Sequence, residues 1–318
     1  MLLEFDTADS IDVGSPEAAS AVQLQPVSLL AQVTRSFPSL VVNTSRVEQR
    51  GGDHLVLIVN DDEYAFRFPR PGSRDLSFEI EVLKHLQHRL QVAVPVYDHF
   101  DHASRFAGYR FIAGDPLTPD RYARLDWAAK AAALEAMAGF LTALHDLPQA
   151  AINWSGEWPR TWTAAQFAER GVAERLPLIA RHVPQLAPSM EVFYASYRLD
   201  RPERFAIVHG DLVGEHMLVD RSGSRLAGII DFGDVALGDP AQDLLGFWSY
   251  GADAVTRVID GYDPGRNDPG LLRRSRNHFI RYRIDDLFEC LDRGKLSDVP
   301  AQVAAIAALL TPSTPYDL

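Results

Sequence analysis

The chain contains His209-Gly210-Asp211-Leu212-Val213-Gly214-Glu215-His216, followed by Ile229-Ile230-Asp231-Phe232-Gly233-Asp234. Both segments carry acids, the first also carries imidazoles, and short apolar runs surround them. Polar side chains that adjoin apolar runs are placed on a rigid frame, which is the arrangement that a functional site requires. The two segments are therefore the first candidates for such a site.

The connection between the two segments has the pattern of a β-hairpin. Apolar runs over 217–220 and 226–230 flank a short stretch rich in turn-forming residues. Such a hairpin brings residue 216 beside residue 230 or 231, and directly opposed residues lie about 4.5–5.5 Å apart. His216 and Asp231 are therefore expected at one end of the ribbon, and Asp211 in the loop that enters the same end.

These three side chains suit one cation-dependent site. Mg²⁺ is a hard ion that keeps several waters and takes one or two carboxylates together with the phosphates of a nucleotide, and Asp231 fits that role. A nearby loop carboxylate such as Asp211 can orient an attacking hydroxyl and accept its proton. The pattern therefore indicates phosphoryl transfer, with Asp211 as the catalytic residue.

The spacing His-x-Asp, five positions to His216, then Asp-Phe-Gly resembles the catalytic and metal loops of the protein-kinase-like superfamily. More narrowly, it resembles antibiotic phosphotransferases, whose loops commonly read His-Gly-Asp-Leu and Ile-Asp-Phe-Gly-Asp before Gly-Asp-Pro, here Gly238-Asp239-Pro240. Aminoglycoside 2''-phosphotransferases and macrolide kinases match best, because members carry His where most kinases carry Asn. The resemblance implies Mg²⁺ held by His216 and Asp231, with ATP or GTP as phosphoryl donor.

The same resemblance implies an α+β, protein-kinase-like fold of two lobes, an antiparallel-sheet N-lobe and a mainly helical C-lobe. The expected regions are a poorly specified N-terminal extension (1–25), a nucleotide-binding N-lobe with the hinge (26–113) and a helical C-lobe (114–318). The C-lobe is expected to hold the catalytic and metal loops and the acceptor site. Asp243, beyond the second loop, resembles a structural acid of the family.

Upstream, residues 53–60 and 63–68 read as two strands around the turn Asp61-Asp62. Arg67 lies in the second strand, where the resemblance implies the kinase Lys that reaches the nucleotide phosphates. A guanidinium binds phosphate bidentately and stays charged, but it is longer and planar. We therefore expect Arg67 to contact the phosphates in place of that Lys, with an ordinary exposed Arg as the alternative.

A helix predicted over 74–90 supplies the partner of Arg67. Glu79 falls within its apolar stripe, whereas Glu81 projects away from the stripe. The stripe is formed by Leu76, Ile80, Leu83 and Leu90. An unpaired buried carboxylate is costly, so Glu79 is expected to pair with Arg67, as the resemblance also implies.

Two further segments are candidates for nucleotide contact. The pair Gly51-Gly52 either covers the phosphates or forms a simple turn. Residues 95–114 read as strand, loop and strand ending at a glycine, which the resemblance implies to be the hinge. The backbone around Arg110 and Ile112 is then expected to bind the purine edge, in ATP or in GTP.

Composition and charge bound the class of protein. The chain has 318 residues, 47% hydrophobic residues and a formal net charge of −12, which indicates a soluble protein with one large or two modest cores. Basic residues are scattered and outnumbered, which argues against a nucleic-acid partner. The segment 127–147 is apolar, but Lys130 and Glu135 interrupt it, so it is interpreted as a buried helix and not a membrane span.

Localisation follows from the first residues and from cysteine usage. Met1-Leu2-Leu3-Glu4-Phe5-Asp6 lacks the basic and apolar parts of a secretion signal. Cys290 is the single cysteine, so an internal disulfide is excluded, and its apolar helix favours a packing role. We therefore expect a cytoplasmic protein.

The acceptor is indicated by weaker signals on a helix predicted over 278–293. Asp285, Glu289 and Asp292 recur on one face, with Asp286 adjoining them. A row of acids facing the cleft would attract a polycation such as an aminoglycoside, and a solvated face is the alternative. Trp248 is a candidate to line the same cleft, with core packing as an equal alternative.

The sequence as a whole predicts a small-molecule kinase that transfers the γ-phosphoryl group of a nucleoside triphosphate to a hydroxyl of an aminoglycoside-like antibiotic. A kinase for a macrolide or another hydroxylated metabolite is the nearer alternative, and its acceptor cleft would be apolar. A nucleotide-binding pseudokinase without transfer activity is the more distant one, because Arg67 and His216 replace the usual Lys and Asn. The presence of both Asp211 and Asp231 favours an active enzyme.

Overall fold

The computed structural model describes residues 26–48, 54–74, 76–103, 105–223, 225–262 and 268–311. These residues form the predicted two-lobed, protein-kinase-like fold, in which a sheet-rich N-lobe precedes a mainly helical C-lobe. The expected N-terminal extension over 1–25 and the candidate phosphate cover Gly51-Gly52 lie outside the described residues.

An antiparallel sheet of five strands forms the N-lobe. Its strands are β1 (Ser45–Glu48), β2 (His54–Val59), β3 (Tyr64–Pro69), β4 (Tyr97–Asp101) and β5 (Phe106–Arg110). Their spatial order is β1-β2-β3-β5-β4. Helix α1 (Pro26–Ser36) covers one face, where Leu29 and Val33 are fully buried in the same apolar cluster as Phe66. Side chains alternate along each strand, so the other face is left for the cleft between the lobes.

The turn between β2 and β3 is tight and left-handed. Asn60, Asp61 and Asp62 all have positive φ angles, of 53°, 51° and 76°. Asn and Asp are the non-glycine residues that tolerate this region best, which is why this polar run can reverse the chain. The hairpin predicted around Asp61-Asp62 is thereby confirmed, with Val59 paired to Tyr64.

Helix α2 is shorter than the predicted 74–90 and buries a different set of side chains. It spans Ser77–Leu86 and continues as a single 3₁₀ turn, Gln87–Arg89. Its buried residues are Phe78, Glu79, Val82, Leu83 and Leu86. Ile80 and Leu90 are only partly buried. Leu90 follows the tighter 3₁₀ turn, which rotates the end of the segment away from the 3.6-residue period. Glu79 belongs to the buried face, as expected.

The C-lobe contains the remaining elements. Its strands are β6 (Asp115–Pro116), β7 (Ala206–Val208), β8 (Met217–Val219), β9 (Leu226–Ile229) and β10 (Ala236–Gly238). Its helices are α3 (Pro119–Arg124), α4 (Trp127–His145), α5 (Ala164–Arg170), α6 (Leu176–His182), α7 (Ala187–Tyr197), α8 (Ala252–Gly261), α9 (Leu271–Asp292) and α10 (Val299–Leu310). A π-helical turn, Gly171–Arg175, joins α5 to α6, and a long 3₁₀ segment, Pro240–Tyr250, follows β10.

Helix α4 is the central helix of the C-lobe, as predicted for residues 127–147. It begins where the Asp126 carboxylate accepts the Ala129 N–H at 2.8 Å, an N-cap that satisfies one of the free donors of the first turn. Its apolar face packs against β7, β9 and α8 in the largest core cluster. A second cluster joins α5, α6 and α7 to α9 and α10. Among the described residues, no helix is long and apolar enough to cross a membrane.

Candidate active site

The loop after β7 is anchored by one buried carboxylate. Asp243 accepts the backbone N–H groups of His209 at 2.7 Å and Gly210 at 2.9 Å, and it lies 3.0 Å from Nε2 of His145. Gly210 has a φ of +88°, and a Cβ there would lie 2.5 Å from the carbonyl oxygen of Asp234. Asp243 therefore has the structural position expected for it, and only glycine fits position 210 without strain.

The hairpin brings the three predicted groups together. Met217 pairs with Ile229, and the Ile230 N–H donates to the His216 carbonyl at 3.0 Å. His216 Nδ1 lies 3.6 Å from Asp211 Oδ2, and its Nε2 lies 3.5 Å from Asp231 Oδ2. The predicted convergence is confirmed, with the imidazole between the two carboxylates.

The tautomer of His216 follows from its backbone contact. Nδ1 lies 2.8 Å from the Asp211 carbonyl oxygen, which can only accept, so Nδ1 carries the proton. In the neutral ring, Nε2 then presents its lone pair toward Asp231. Burial acts to raise the pKa of Asp231, but the charge of Arg67, the largest opposing cause, holds that pKa below its ordinary value. Asp231 is therefore an anionic acceptor that faces a second acceptor.

This donor set fits Mg²⁺. A cation between the Nε2 lone pair and the carboxylate would remove the repulsion between two acceptors. Within the described ranges, no group of three or more His, Cys, Asp or Glu side chains forms a closed metal cage. Mg²⁺ needs no such cage, since it takes one or two protein ligands and completes its shell with water and substrate phosphates.

Arg67 and Glu79 form the predicted buried ion pair. Nη1 of Arg67 lies 2.6 Å from Oε1 of Glu79, and both side chains are at most 4% exposed. Nη2 of Arg67 reaches Oδ1 of Asp231 at 2.7 Å. Burial raises the pKa of Glu79, and the charge of Arg67 opposes that rise. Glu81, by contrast, pairs with Lys84 on the outer side of the helix.

Two partners of this ion pair were not anticipated from the sequence. The Tyr97 hydroxyl donates to Glu79 Oε1 at 2.7 Å, and Nδ1 of His54 lies 3.1 Å from Arg67 Nη2. His54 begins β2, which pairs directly with the strand of Arg67, and Tyr97 begins β4, which is separated from that strand by β5. Their only signal in the sequence is a polar side chain in a strand with apolar neighbours.

The cleft face of the N-lobe sheet carries a small apolar patch. Ile58, Ala65 and Tyr109 are buried there, and Ile112 packs against them. Ile58 pairs with Ala65, which pairs with Tyr109, so the three side chains point to the same face. The side chain of Arg110 is 70% exposed and lies over the Tyr64 ring, so only its backbone is near the cleft.

A cavity of about 220 Å³ opens beside the catalytic loop. The loop contributes Gly214 and Glu215, and α9 contributes one face. That face comprises Phe279, Tyr282, Arg283 and Asp286, which are spaced as one side of a helix. Burial raises the pKa of the Tyr282 hydroxyl, and the charges of Asp286, Asp211 and Glu215 raise it further. Val213, Gly214 and Glu215 line the cavity and follow Asp211 in the same loop, so the cavity opens beside the loop that carries Asp211.

Asp286 is the perturbed acid of this cavity. Burial raises its pKa to about 6, the charges of Glu289 and Asp285 add to the rise, and Arg283 opposes it. Arg283 Nη1 lies 3.2 Å from Asp286, so one of the two cavity carboxylates already has a cationic partner. Asp286, Arg283 and Glu215 together carry one net negative charge when all three side chains are ionised.

Comparison with known proteins agrees with this geometry. A model of the phosphotransferase enzyme family matches residues 48–275. The chain belongs to this phosphotransferase family. Viomycin phosphotransferase of Streptomyces vinaceus is 42% identical over 57 residues, which are 17% of this chain and 20% of that protein. A second relative, the uncharacterized protein YcbJ of Bacillus subtilis, aligns over 19% of its length, so the chain matches about a fifth of either relative.

Solved structures show the same fold for the phosphotransferase. The GDP and kanamycin complex of APH(2")-IIia superposes with a TM-score of 0.74 at 24% identity, covering 89% of this chain and 98% of that one. The macrolide 2'-phosphotransferase MphH from Brachybacterium faecium superposes with a TM-score of 0.59 at 24% identity, covering 90% and 99%. At these identities the similarity establishes the fold, and the acceptor must be inferred from the site itself.

The structure does not bring the predicted acidic row of the phosphotransferase to its cavity. Asp285 is engaged by Arg175 at 2.9 Å and by Arg281 at 2.8 Å. Glu289 and Asp292 are exposed, and Glu289 lies 3.2 Å from Arg293. Because each residue of a helix turns by about 100°, Asp286 faces the cavity while the preceding acid faces the neighbouring helix.

Trp248 also lies away from the cavity lining. Its indole N–H donates to Ser275 Oγ at 3.0 Å, and its ring packs against the main core of the C-lobe. The next two residues, Ser249 and Tyr250, line the cavity instead. Glu215 was not selected from the sequence, although it adjoins His216, and Asp286 was noted only as adjoining the acidic row.

Proposed function

We propose that this phosphotransferase is a kinase that transfers the γ-phosphoryl group of a nucleoside triphosphate to a hydroxyl of a cationic, aminoglycoside-like antibiotic. The observation that supports the proposal is the position of the cavity with Glu215 and Asp286, which is lined by residues 213–215 of the loop that carries Asp211. The carboxylate proposed to accept a proton and the acid-bearing acceptor cavity thus belong to the same loop region. Viomycin phosphotransferase, which is similar to part of this chain, supports an antibiotic acceptor.

In the proposed mechanism, Asp211 orients the acceptor hydroxyl and accepts its proton. His216 Nε2 and Asp231 hold Mg²⁺, and the Nδ1 contact with the Asp211 carbonyl keeps the imidazole in the tautomer that can do so. When bound, Mg²⁺ neutralises charge on the transferring phosphate. The protein otherwise contributes position, because it fixes the hydroxyl, the carboxylate and the phosphate in one geometry.

The nucleotide is proposed to bind beneath the N-lobe sheet. The apolar patch of Ile58, Ala65 and Tyr109 offers a surface for a purine ring. The backbone around Arg110 and Ile112 is the proposed hydrogen-bonding partner of the purine edge. Solved relatives hold GDP or ADP, which supports a nucleotide donor and leaves the choice between ATP and GTP to experiment.

The acceptor is proposed to carry amino groups. A cation that enters the cavity can pair with Glu215 and can share Asp286 with Arg283. A negatively charged cavity with low-dielectric walls also raises the local concentration of cationic molecules. A macrolide kinase would have an apolar acceptor site, so the two carboxylates favour the cationic class.

The proposal is tested by phosphate incorporation from ATP and from GTP across aminoglycosides, viomycin, macrolides and simple sugars. Transfer to one or more cationic antibiotics, lost in Asp211→Ala with nucleotide affinity nearly unchanged, is the expected result. Transfer to macrolides alone, which carry at most one or two amino groups, would reject a polycationic, aminoglycoside-like acceptor, and transfer to simple sugars alone would reject a cationic one. Full turnover in Asp211→Ala would reject the assigned mechanism, and nucleotide binding without transfer to any acceptor would favour a pseudokinase.

A further inference from the structure

Arg67 commits its terminal nitrogens to protein partners. A guanidinium has five N–H donors, four of them on the two terminal nitrogens. Nη1 contacts Glu79 Oε1 at 2.6 Å and the Tyr97 hydroxyl at 3.3 Å. Nη2 contacts Asp231 Oδ1 at 2.7 Å and His54 Nδ1 at 3.1 Å. Each of the four terminal hydrogens therefore has an acceptor on the protein, and a phosphate oxygen would have to displace one.

These contacts determine how the Asp231 carboxylate is turned. Oδ1 faces Arg67, which leaves Oδ2 facing Nε2 of His216 at 3.5 Å. The backbone of Asp231 is left-handed, with φ 65° and ψ 62°, a region that Asp tolerates better than most non-glycine residues. The contact of its carboxylate with the guanidinium is a strong one, because Arg67 is charged, buried and within hydrogen-bond distance.

Gly233 leaves room for this ion pair. A Cβ at that position would lie 3.1 Å from Arg67 Nη2 and 3.5 Å from Asp231 Oδ1. The absence of a side chain thus lets the guanidinium approach the carboxylate from the helix α2 side. A Lys could not make the same set of contacts, because it presents one nitrogen where Arg67 spreads two between Glu79 and Asp231.

We propose that Arg67 is a positioning residue, whose guanidinium holds the rotation of the Asp231 carboxylate for Mg²⁺ and does not bind the nucleotide phosphates. This inference rests on the proposed nucleotide-dependent activity and revises the expected phosphate contact of Arg67. It assigns the ion pair with Glu79 a distinct purpose, which is to anchor one end of the guanidinium while the other end holds the metal ligand.

The test separates metal affinity from nucleotide affinity. Arg67→Met alone would leave Glu79 buried without its cation, which risks unfolding, so the variant of choice is Arg67→Met with Glu79→Gln. Nucleotide Kd is measured by calorimetry without Mg²⁺. The Mg²⁺ dependence is then measured by titrating Mg²⁺ at fixed nucleotide and recording the shift in melting temperature. Arg225→Met, which alters an exposed arginine paired with Asp220, is the matched control.

The double variant is expected to need about 10–100-fold more Mg²⁺ for the half-maximal shift, the usual effect of losing a partner of a metal ligand. Its nucleotide Kd without Mg²⁺ should stay within about twofold of wild type. In an Asp231→Asn background the same change should add nothing, because the residue being positioned is already lost. A nucleotide Kd weakened more than about tenfold, with unchanged Mg²⁺ dependence, would overturn the proposal and restore a phosphate contact.

These measurements do not depend on finding the acceptor. Failure to transfer phosphate to any antibiotic would count against the proposed function, while the binding and melting data would still report on Arg67. Conversely, full activity with an unchanged Mg²⁺ dependence in the double variant would refute the positioning role and leave the proposed function intact. The proposed function and the positioning role of Arg67 are therefore refuted by different results.

Discussion

Replacing Asp286 with Asn tests the acceptor cavity, because the substitution should weaken acceptor binding while it raises the free energy of unfolding at high pH. Because burial raises the pKa of Asp286 to about 6, the carboxyl is about nine-tenths ionised at pH 7 and about one-tenth at pH 5. If the carboxylate binds a cationic acceptor, its contribution to kcat/KM should fall about tenfold between these pH values. Asp286→Asn should raise the acceptor KM about tenfold at pH 7.5 and remove this part of the pH dependence.

The same substitution should stabilise the fold at high pH. The pKa of Asp286 in the folded protein, about 6, is above its ordinary 3.8, so the folded state binds this proton more tightly than the unfolded state. Its stabilising contribution is complete below 3.8 and is lost as pH rises through 6. The full difference corresponds to ~3 kcal/mol, and since the side chain is about a third exposed we expect a gain of ~1–2 kcal/mol in Asp286→Asn at pH 8.

The assay compares kcat/KM from pH 5 to 8 in wild type and Asp286→Asn, with urea unfolding at pH 5 and pH 8. Asp292→Asn, which neutralises an exposed acid on the same helix outside the cavity, serves as the control and should change neither measurement. Identical pH profiles and an unchanged acceptor KM in Asp286→Asn would refute the assignment of this cavity to the acceptor. Lower stability at pH 8 would refute the sign of the electrostatic reasoning.

Three further substitutions separate structural from functional roles. Gly210→Ala should lower turnover and cost ~1–3 kcal/mol of unfolding free energy in thermal melts, because its Cβ would press on the Asp234 carbonyl at a positive φ. Asp243→Asn should lose ~2–4 kcal/mol in urea unfolding, since an amide cannot accept from both backbone N–H groups and His145. Trp248→Phe should lose ~1 kcal/mol with the Ser275 hydrogen bond. An altered acceptor KM there would instead indicate a role in substrate binding.

The catalytic and metal loops could be predicted because their geometry is local. Strands Met217–Val219 and Leu226–Ile229 form one hairpin, and the turn and the strand pairing bring the flanking residues His216 and Asp231 together. The ion pair of Arg67 with Glu79 was also predictable, because a carboxylate on a buried helix face must find a cation. The first inference needed only the pairing of two neighbouring strands. The second needed only the helical period that places Glu79 on the buried face and the high cost of burying an unpaired carboxylate.

The acidic face of α9 was misjudged because periodicity does not say which side of a helix meets which neighbour. The packing of α6, α7 and α10 against α9 turns Asp285 toward Arg175 and leaves Asp286 to the cavity, a difference of one residue in sequence. The stripe predicted over 74–90 failed at its end for a different reason, since a 3₁₀ turn after Leu86 rotates Leu90 out of phase.

From the sequence, the resemblance of two motifs to kinase-like phosphotransferases implied the two-lobed fold, and the meeting of Asp211, His216 and Asp231 followed because short-range pairing within a single ribbon leaves few other arrangements. Only the tertiary structure decided that Arg67 contacts Tyr97, His54 and Asp231 in addition to its predicted partner Glu79, and that Asp286 faces the cavity. Those contacts join elements far apart in the chain. Their distances depend on how helices and sheet are packed against one another, which no local pattern encodes.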